Sequence, residues 1–197
     1  MKILIITLCG CITFSAFAQN LLKNSDFSAK NYMQDWALTT MCDQVFDLSY
    51  NKKGKCVELE STGTEYSGYI NQFVRVKPNT KYLFRVNIRH IKGRLFLWMV
   101  GYDDKRKQVG FQKYRWLSSS VGHPLVPNFI PQKYVHGSNK IEWKIEELEL
   151  TTTKPKKSKK EIAFIKVNVG VYFSTGQFQV KKIEFIELDN NKAKKKK

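Results

Sequence analysis

Alternation of apolar and polar residues is the feature that most constrains the fold of this chain. Between residues 82 and 89, every second position is apolar: Tyr82, Phe84, Val86 and Ile88. Arg85, Asn87 and Arg89 stand between them. Since successive side chains of a strand point to opposite faces of a sheet, this pattern predicts a strand with one buried and one polar face.

Other segments repeat the period of two. A second strand is marked by Val167, Val169, Val171 and Phe173. The alternation of Ile141, Trp143 and Ile145 predicts a third, with these side chains toward the core. Further strands are predicted at 56–60, 69–76, 94–102 and 178–188, with a turn at Lys92-Gly93. Many short strands without a sustained helical period predict an all-β fold, an antiparallel β-sandwich or jelly roll.

The length of 197 residues suits one such domain and is short for two. We place a single β-sandwich domain at residues 19–190. A long inserted loop is predicted at about 117–139, because that segment holds three of the five prolines. A Lys-rich loop is predicted at 154–160, and a Lys-rich disordered tail at 191–197.

Residues 1–18 have the features of a secretory signal peptide. Lys2 is followed by an apolar run that ends in Ala16-Phe17-Ala18, a small-x-small sequence typical of a cleavage site. We therefore expect cleavage after Ala18 and a soluble protein that is secreted, periplasmic or at the cell surface. A lipoprotein attached through Cys11 is the weaker alternative, because apolar residues continue past it. No other apolar run is long enough for a transmembrane segment.

Loss of the signal peptide leaves two cysteines, Cys42 and Cys56. In an oxidising compartment such a pair favours a disulfide, which stabilises a small domain by about 3 kcal/mol. Two buried free thiols are the alternative.

The formal net charge of +17 is concentrated in two clusters of five lysines each, at 154–160 and 192–197. Charge runs of this kind usually lie in solvated loops and tails. The functional alternative is that the lysine clusters bind an acidic polysaccharide or an anionic envelope surface by charge attraction. Export makes nucleic acid the least expected partner.

A search for catalytic motifs finds none. The sequence lacks a Gly-x-Ser-x-Gly elbow, a His-Glu-x-x-His motif and a Gly-rich phosphate loop, and its three histidines are not at metal-ligand spacing. Glu58 and Glu60 share a strand face at a separation that suits a glycosidase pair, but such exposed pairs are common. We therefore expect a protein that is not an enzyme.

Three motifs carry a family resemblance in their order along the chain. The first is Asn20-Leu21-Leu22-Lys23-Asn24-Ser25-Asp26-Phe27, followed by Trp36. The second and third are Gly54-Lys55-Cys56-Val57-Glu58-Leu59 and the Tyr66-to-Tyr82 segment, which contains Gln72, Val74, Val76 and Pro78. Together they resemble the carbohydrate-binding module superfamily of families 4, 9 and 22. The resemblance implies a galactose-binding-like jelly roll with Trp36 in its core.

The resemblance also implies a structural calcium ion, but this chain departs from the family at the acidic ligands. Ser28 follows Phe27 where many members have Glu, and Lys181-Lys182 stands where an acidic pair is expected. Calcium requires several oxygen ligands, and lysine supplies none. We therefore predict neither a metal site nor a cofactor.

The same resemblance implies a glycan that lies across the concave sheet, and a site at the loop end of the sandwich is the other option. On that basis we predict eight ligand-binding residues: Arg85, Asn87, Arg89, Trp98, Trp116, Lys166, Asn168 and Tyr172. Trp98 is the first choice as an aromatic platform for a sugar ring. Its strand has apolar residues on both faces, however, which also suits a residue of the core. Arg85 and Arg89 have the alternative of ion pairs with Glu58 or Glu60.

These observations favour a secreted, non-catalytic carbohydrate-binding module-like protein. Its expected ligand is a polysaccharide or oligosaccharide, acidic ones included, bound on the concave face of the jelly roll. One alternative is a structural or adhesive cell-envelope protein that uses the sandwich for protein interaction. The other is a small jelly-roll polysaccharide lyase or hydrolase that uses Tyr172 with nearby Lys or Arg residues.

Overall fold

The computed structural model describes residues 19–63, 66–118, 135–136, 142–156, 158, 160–173 and 175–188. The predicted signal peptide, most of the predicted 117–139 loop and the predicted tail lie outside the described residues. A short 3-10 turn covers Asp43–Val45. The strands of the described chain are β1 (Ala37–Thr40), β2 (Phe46–Asn51), β3 (Cys56–Ser61), β4 (Gly68–Arg75), β5 (Lys81–Tyr102), β6 (Gln108–Ser118), β7 (Val135–His136), β8 (Trp143–Thr151), β9 (Phe164–Val171) and β10 (Gly176–Leu188).

Two sheets share the long strand β5. Its first half pairs with β8 and β10, and β3 and β2 follow, so that sheet A has the order β8-β5-β10-β3-β2. Its second half pairs with β9 and β6, so that sheet B has the order β1-β4-β9-β5-β6-β7. Every pairing is antiparallel except that of the two-residue β7 with β6. The predicted all-β antiparallel sandwich is confirmed.

Gly93 is where β5 passes from one sheet to the other. The predicted turn at Lys92-Gly93 is wrong, because the strand continues through it. Gly93 has φ +74°, and a Cβ there would lie 2.3 Å from the carbonyl oxygen of Thr175. The bend thus requires glycine, and it redirects the strand without ending it.

The predicted alternation produces the core between the sheets. Tyr82, Phe84, Val86 and Ile88 of sheet A are at most 2% exposed, and they belong to one hydrophobic cluster with Leu95, Leu97, Met99, Val167, Val169 and Val171 of sheet B. Trp36 joins this cluster beside Phe27, and its Nε1 donates to the carbonyl oxygen of Asn24 at 3.0 Å. The predicted core role of Trp36 is confirmed.

Strand β8 departs from its predicted orientation. Ile145 is 62% exposed, whereas Leu148 and Leu150 are buried in the core. Residues that pair across strands share a face, and Ile145 pairs with the polar Asn87 while Leu148 pairs with Phe84. The side chains that face the core therefore come from the second half of the strand. The prediction that Ile145 faces the core is wrong.

The predicted Cys42–Cys56 disulfide is also wrong, because both described cysteines are free thiols. Cys42 immediately precedes the 3-10 turn that leads into Phe46, which pairs with Ser61 at one end of β3. Cys56 begins β3 at its other end. The ends of this six-residue strand are about 17 Å apart, far beyond the Cα separation of about 7 Å that a disulfide tolerates.

Candidate functional site

The outer surface of sheet B is covered with aromatic side chains. In β5, Leu95, Leu97 and Met99 point to the core, so Phe96 and Trp98 point outward. Cross-strand pairing places the remaining rings on the same surface, which we call the sheet-B face: Tyr69, Phe73, Tyr102, Tyr114, Trp116, Phe164 and Tyr172.

A pocket of about 390 Å³ opens in the sheet-B face. Phe96 is one of its lining residues, and its ring centroid lies 4.3 Å from that of Trp116, 5.5 Å from that of Tyr172 and 5.6 Å from that of Trp98. The lining is completed by Tyr114, Gln108 and Gln112. Its size, its aromatic walls and its few polar groups are those of a small-molecule or oligosaccharide site.

Asn168 lies buried beneath this surface, beside Trp98 in the sheet register. Its Nδ2 donates to the carbonyl oxygens of Trp98 at 3.0 Å and Lys166 at 3.1 Å. Within the described structure, its Oδ1 and the Nε1 of Trp98 are buried without a hydrogen-bond partner. An unsatisfied buried polar group costs about 1–3 kcal/mol, so two of them at one pocket mark an unusual polar environment.

The end of the sheet-B face beyond Trp98 is cationic. Lys166 Nζ lies 5.5 Å from the ring centroid of Tyr69 and 5.7 Å from that of Phe73. The guanidinium of Arg106 lies 5.1 Å from the Phe73 centroid, and that of Arg75 lies 5.5 Å from the Phe164 centroid. Burial lowers the pKa of Lys166.

Asp103 fixes the turn that presents Arg106. Its Oδ1 accepts hydrogen bonds from the backbone N–H groups of Lys105 at 3.0 Å and Lys107 at 2.8 Å. Its Oδ2 accepts from Nζ of Lys160, at the end of the predicted Lys-rich loop. The Lys160 hydrogen bond, joined by those from the turn backbone, lowers the pKa of Asp103.

The eight predicted ligand-binding residues fall into two groups. Trp98, Trp116 and Tyr172 line the pocket, with Asn168 and Lys166 beside it. Arg85, Asn87 and Arg89 instead lie in sheet A, because they precede the sheet change at Gly93. The prediction that both groups share one concave face is therefore wrong.

On the outer face of sheet A, Arg85 is engaged by carboxylates. Its Nε lies 2.6 Å from Glu147 Oε1, and its Nη1 lies 3.7 Å from Glu184 Oε2. These partners differ from the Glu58 and Glu60 alternative. Arg89 Nε is buried and has no hydrogen-bond partner in the described structure.

Sequence reasoning missed four of the seven residues that line the pocket. Phe96, Gln108, Gln112 and Tyr114 were not among the predicted residues. The available signal was the alternation of Gln112, Tyr114 and Trp116 in β6, a strand that is absent from the sequence-based predictions.

The described residues show neither a metal-ligand cluster nor a membrane-spanning helix. There, no three His, Cys, Asp or Glu side chains are grouped as metal ligands. Nor does that part of the chain contain a helix with the length and apolar character needed to span a bilayer.

No protein-family model matches the sequence, and no curated protein matches it either. Solved structures do match over most of the chain. TmCBM61, solved in complex with β-1,4-galactotriose, aligns with TM-score 0.53 and 15% identity over 87% of this chain and 100% of that one. A putative sugar-binding protein from Bacteroides thetaiotaomicron aligns with TM-score 0.53 and 10% identity over 86% and 100%.

The enzymatically active domain of tailspike protein 4 from bacteriophage CBA120 aligns with TM-score 0.57 and 11% identity. The alignment covers 86% of this chain but only 21% of the tailspike chain. At such identities the similarity establishes the fold alone. The chain has the jelly-roll fold of carbohydrate-binding modules, as the sequence motifs predicted.

Proposed function

We propose that this protein is a secreted, non-catalytic polysaccharide-binding protein that holds its ligand on the sheet-B face. The observation that carries the proposal is the pocket of about 390 Å³ walled by Phe96, Trp98, Trp116 and Tyr172. A pyranose ring has an apolar C–H face, which packs on an aromatic ring, and a rim of hydroxyl groups. Gln108 and Gln112 supply amide donors and acceptors for that rim.

Charge supports a preference for acidic polysaccharides. None of the described strands of sheet B contains an Asp or Glu residue, and Lys166, Arg75 and Arg106 lie on or beside its outer face. A sheet whose strands carry cations and no carboxylates attracts anionic ligands and raises their rate of association.

The absence of catalysis is also part of the proposal. The carboxylate pair considered from the sequence lies in sheet A, away from the pocket. Glu58 Oε1 accepts hydrogen bonds from Asn51 at 2.8 Å and Gln179 at 2.6 Å, and Glu60 accepts one from Gln177 at 3.3 Å. Side chains engaged in this way are poorly placed to act on a glycan held on the sheet-B face.

The proposal is tested with Trp98→Ala and Trp116→Ala against a panel of neutral and acidic polysaccharides. We expect each variant to lose at least about tenfold in affinity, because aromatic anchors in a pocket dominate binding energy. Affinity electrophoresis selects the ligand, and titration calorimetry measures the affinity. Tyr114→Ala provides a further variant, since this 45% exposed side chain contributes little to the core.

Trp143→Ala is the matched control, because it removes the same type of ring from sheet A. Its affinity should equal that of the unsubstituted protein. Full binding by both pocket variants would refute the proposal. So would a Trp98-dependent dimer in size-exclusion chromatography that binds no polysaccharide, since a second copy would then occupy the face.

A further inference from the structure

We infer that Lys166 and Arg106 form a carboxylate-recognising subsite next to the aromatic pocket, so that the preferred ligand is a uronate-containing polysaccharide. This inference rests on the proposed function and names the ligand class of the same face. It depends on the surroundings of Lys166, its distance from the pocket and the support of Arg106.

Lys166 is a half-buried cation without an anion. It lies in β9 between Phe73 of β4 and Val100 of β5, and its ammonium group contacts ring faces. In the part of the chain that the structure describes, no carboxylate lies within ion-pair distance of its Nζ. A partly desolvated ammonium group of this kind gains more from an anionic ligand than an exposed lysine does.

The position of Lys166 suits one sugar unit beyond the pocket. Lys166 and Asn168 are two residues apart on the same face of β9, so they are separated by roughly 7 Å along the strand. Val100, which pairs with Lys166, is 2% exposed, so neighbouring side chains cover it. Gln112 pairs with Val100 from its other side. An ammonium group and an amide group therefore flank Val100 from opposite sides, next to Trp98.

Arg106 extends the positive end of this subsite. Its guanidinium packs 5.1 Å from the Phe73 centroid, the same ring that Lys166 contacts. The hydrogen bonds of Asp103 hold the turn in which Arg106 adopts φ +57°. A guanidinium group binds a planar carboxylate through two parallel hydrogen bonds, which favours a uronate over a sulfate ester.

The experiment compares polygalacturonate with its methyl ester, which keeps the sugar backbone and removes the charge. Lys166→Met and Arg106→Gln are measured by titration calorimetry at low and high ionic strength. The unsubstituted protein should bind the acid about tenfold more tightly than the ester. Lys166→Met should abolish that difference, because it weakens binding of the acid.

Lys181→Met is the matched control. Lys181 is also a strand lysine with its ammonium over an aromatic ring, 4.2 Å from the Trp143 centroid, but it belongs to sheet A. The Lys181→Met variant should therefore retain the preference for polygalacturonate over its methyl ester. A structural role for Lys166 predicts a lower thermal midpoint in Lys166→Met, whereas we expect a midpoint equal to or above that of the unsubstituted protein, because a desolvated charge is removed.

The two proposals fail in different ways. Equal binding of acid and ester that still depends on Trp98 would overturn the subsite and leave the polysaccharide-binding function standing. Binding that does not depend on Trp98 would overturn the function itself. Preference for dextran sulfate over polygalacturonate would overturn the carboxylate assignment in favour of a sulfate.

Discussion

Ile145 and Leu148 are three residues apart on β8, and they contribute differently to stability. Leu148 is 5% exposed within the core cluster, whereas Ile145 is 62% exposed beside Asn87. We predict that Leu148→Ala lowers the free energy of unfolding by about 2–4 kcal/mol, because it leaves a cavity. Ile145→Ala should change it by less than about 0.5 kcal/mol. Urea denaturation measures both, and equal losses would contradict this orientation of the strand.

The same strand shows how far a local pattern is informative for single residues. The apolar residues of β8 are Trp143, Ile145, Leu148 and Leu150. They occupy one face in the first half of the strand and the opposite face in the second half. Either half can face the core when the sequence is considered alone. The choice depends on the register with β5, where Leu148 meets Phe84, and that register involves residues far apart in sequence.

At the scale of the element, β5 depends on the conformation of Gly93. We predict that Gly93→Ala costs roughly 3 kcal/mol of unfolding free energy, because an added Cβ combines a strained positive φ with contacts to the backbone of Thr175 and Gly176. Gly110→Ala is the matched control. Gly110 has φ +77° but nothing within 4 Å of the added atom, so only the strain of roughly 1 kcal/mol remains. Equal costs in denaturant titrations would show that the sheet change does not require close packing at Gly93.

Most strands were predictable as elements, but their connections were not. The predicted segments at 56–60, 69–76, 82–89, 94–102 and 178–188 all lie on strands of the structure or overlap them. A glycine after a lysine often indicates a turn that ends a strand. At Gly93 it instead indicates a bend, because β5 continues through it. Because local sequence does not show which strands pair, three of the eight predicted ligand-binding residues were assigned to the wrong sheet.

At the scale of the whole molecule, acidic residues are segregated between the sheets. Among the described strands, all of the Asp and Glu residues belong to sheet A: Asp47, Glu58, Glu60, Glu146, Glu147, Glu149, Glu184 and Glu187. Several form ion pairs with lysine or arginine there. Lys81, Arg85 and Lys182 of sheet A are therefore neutralised locally, whereas the cations of the sheet-B face are available to an anionic ligand.

This segregation predicts the result of a double substitution on sheet A. In Arg85→Ala/Arg89→Ala, affinity for the polysaccharide should stay within about twofold of the unsubstituted protein, because Arg85 is engaged with Glu147 and both residues lie on the other sheet from the pocket. Titration calorimetry with the ligand selected above measures it, and Lys166→Met shows the loss expected from a contact on the binding face. The binding role predicted for Arg85, Asn87 and Arg89 requires the opposite result. A tenfold loss in the double variant would place the ligand on sheet A and refute the assignment of binding to the sheet-B face.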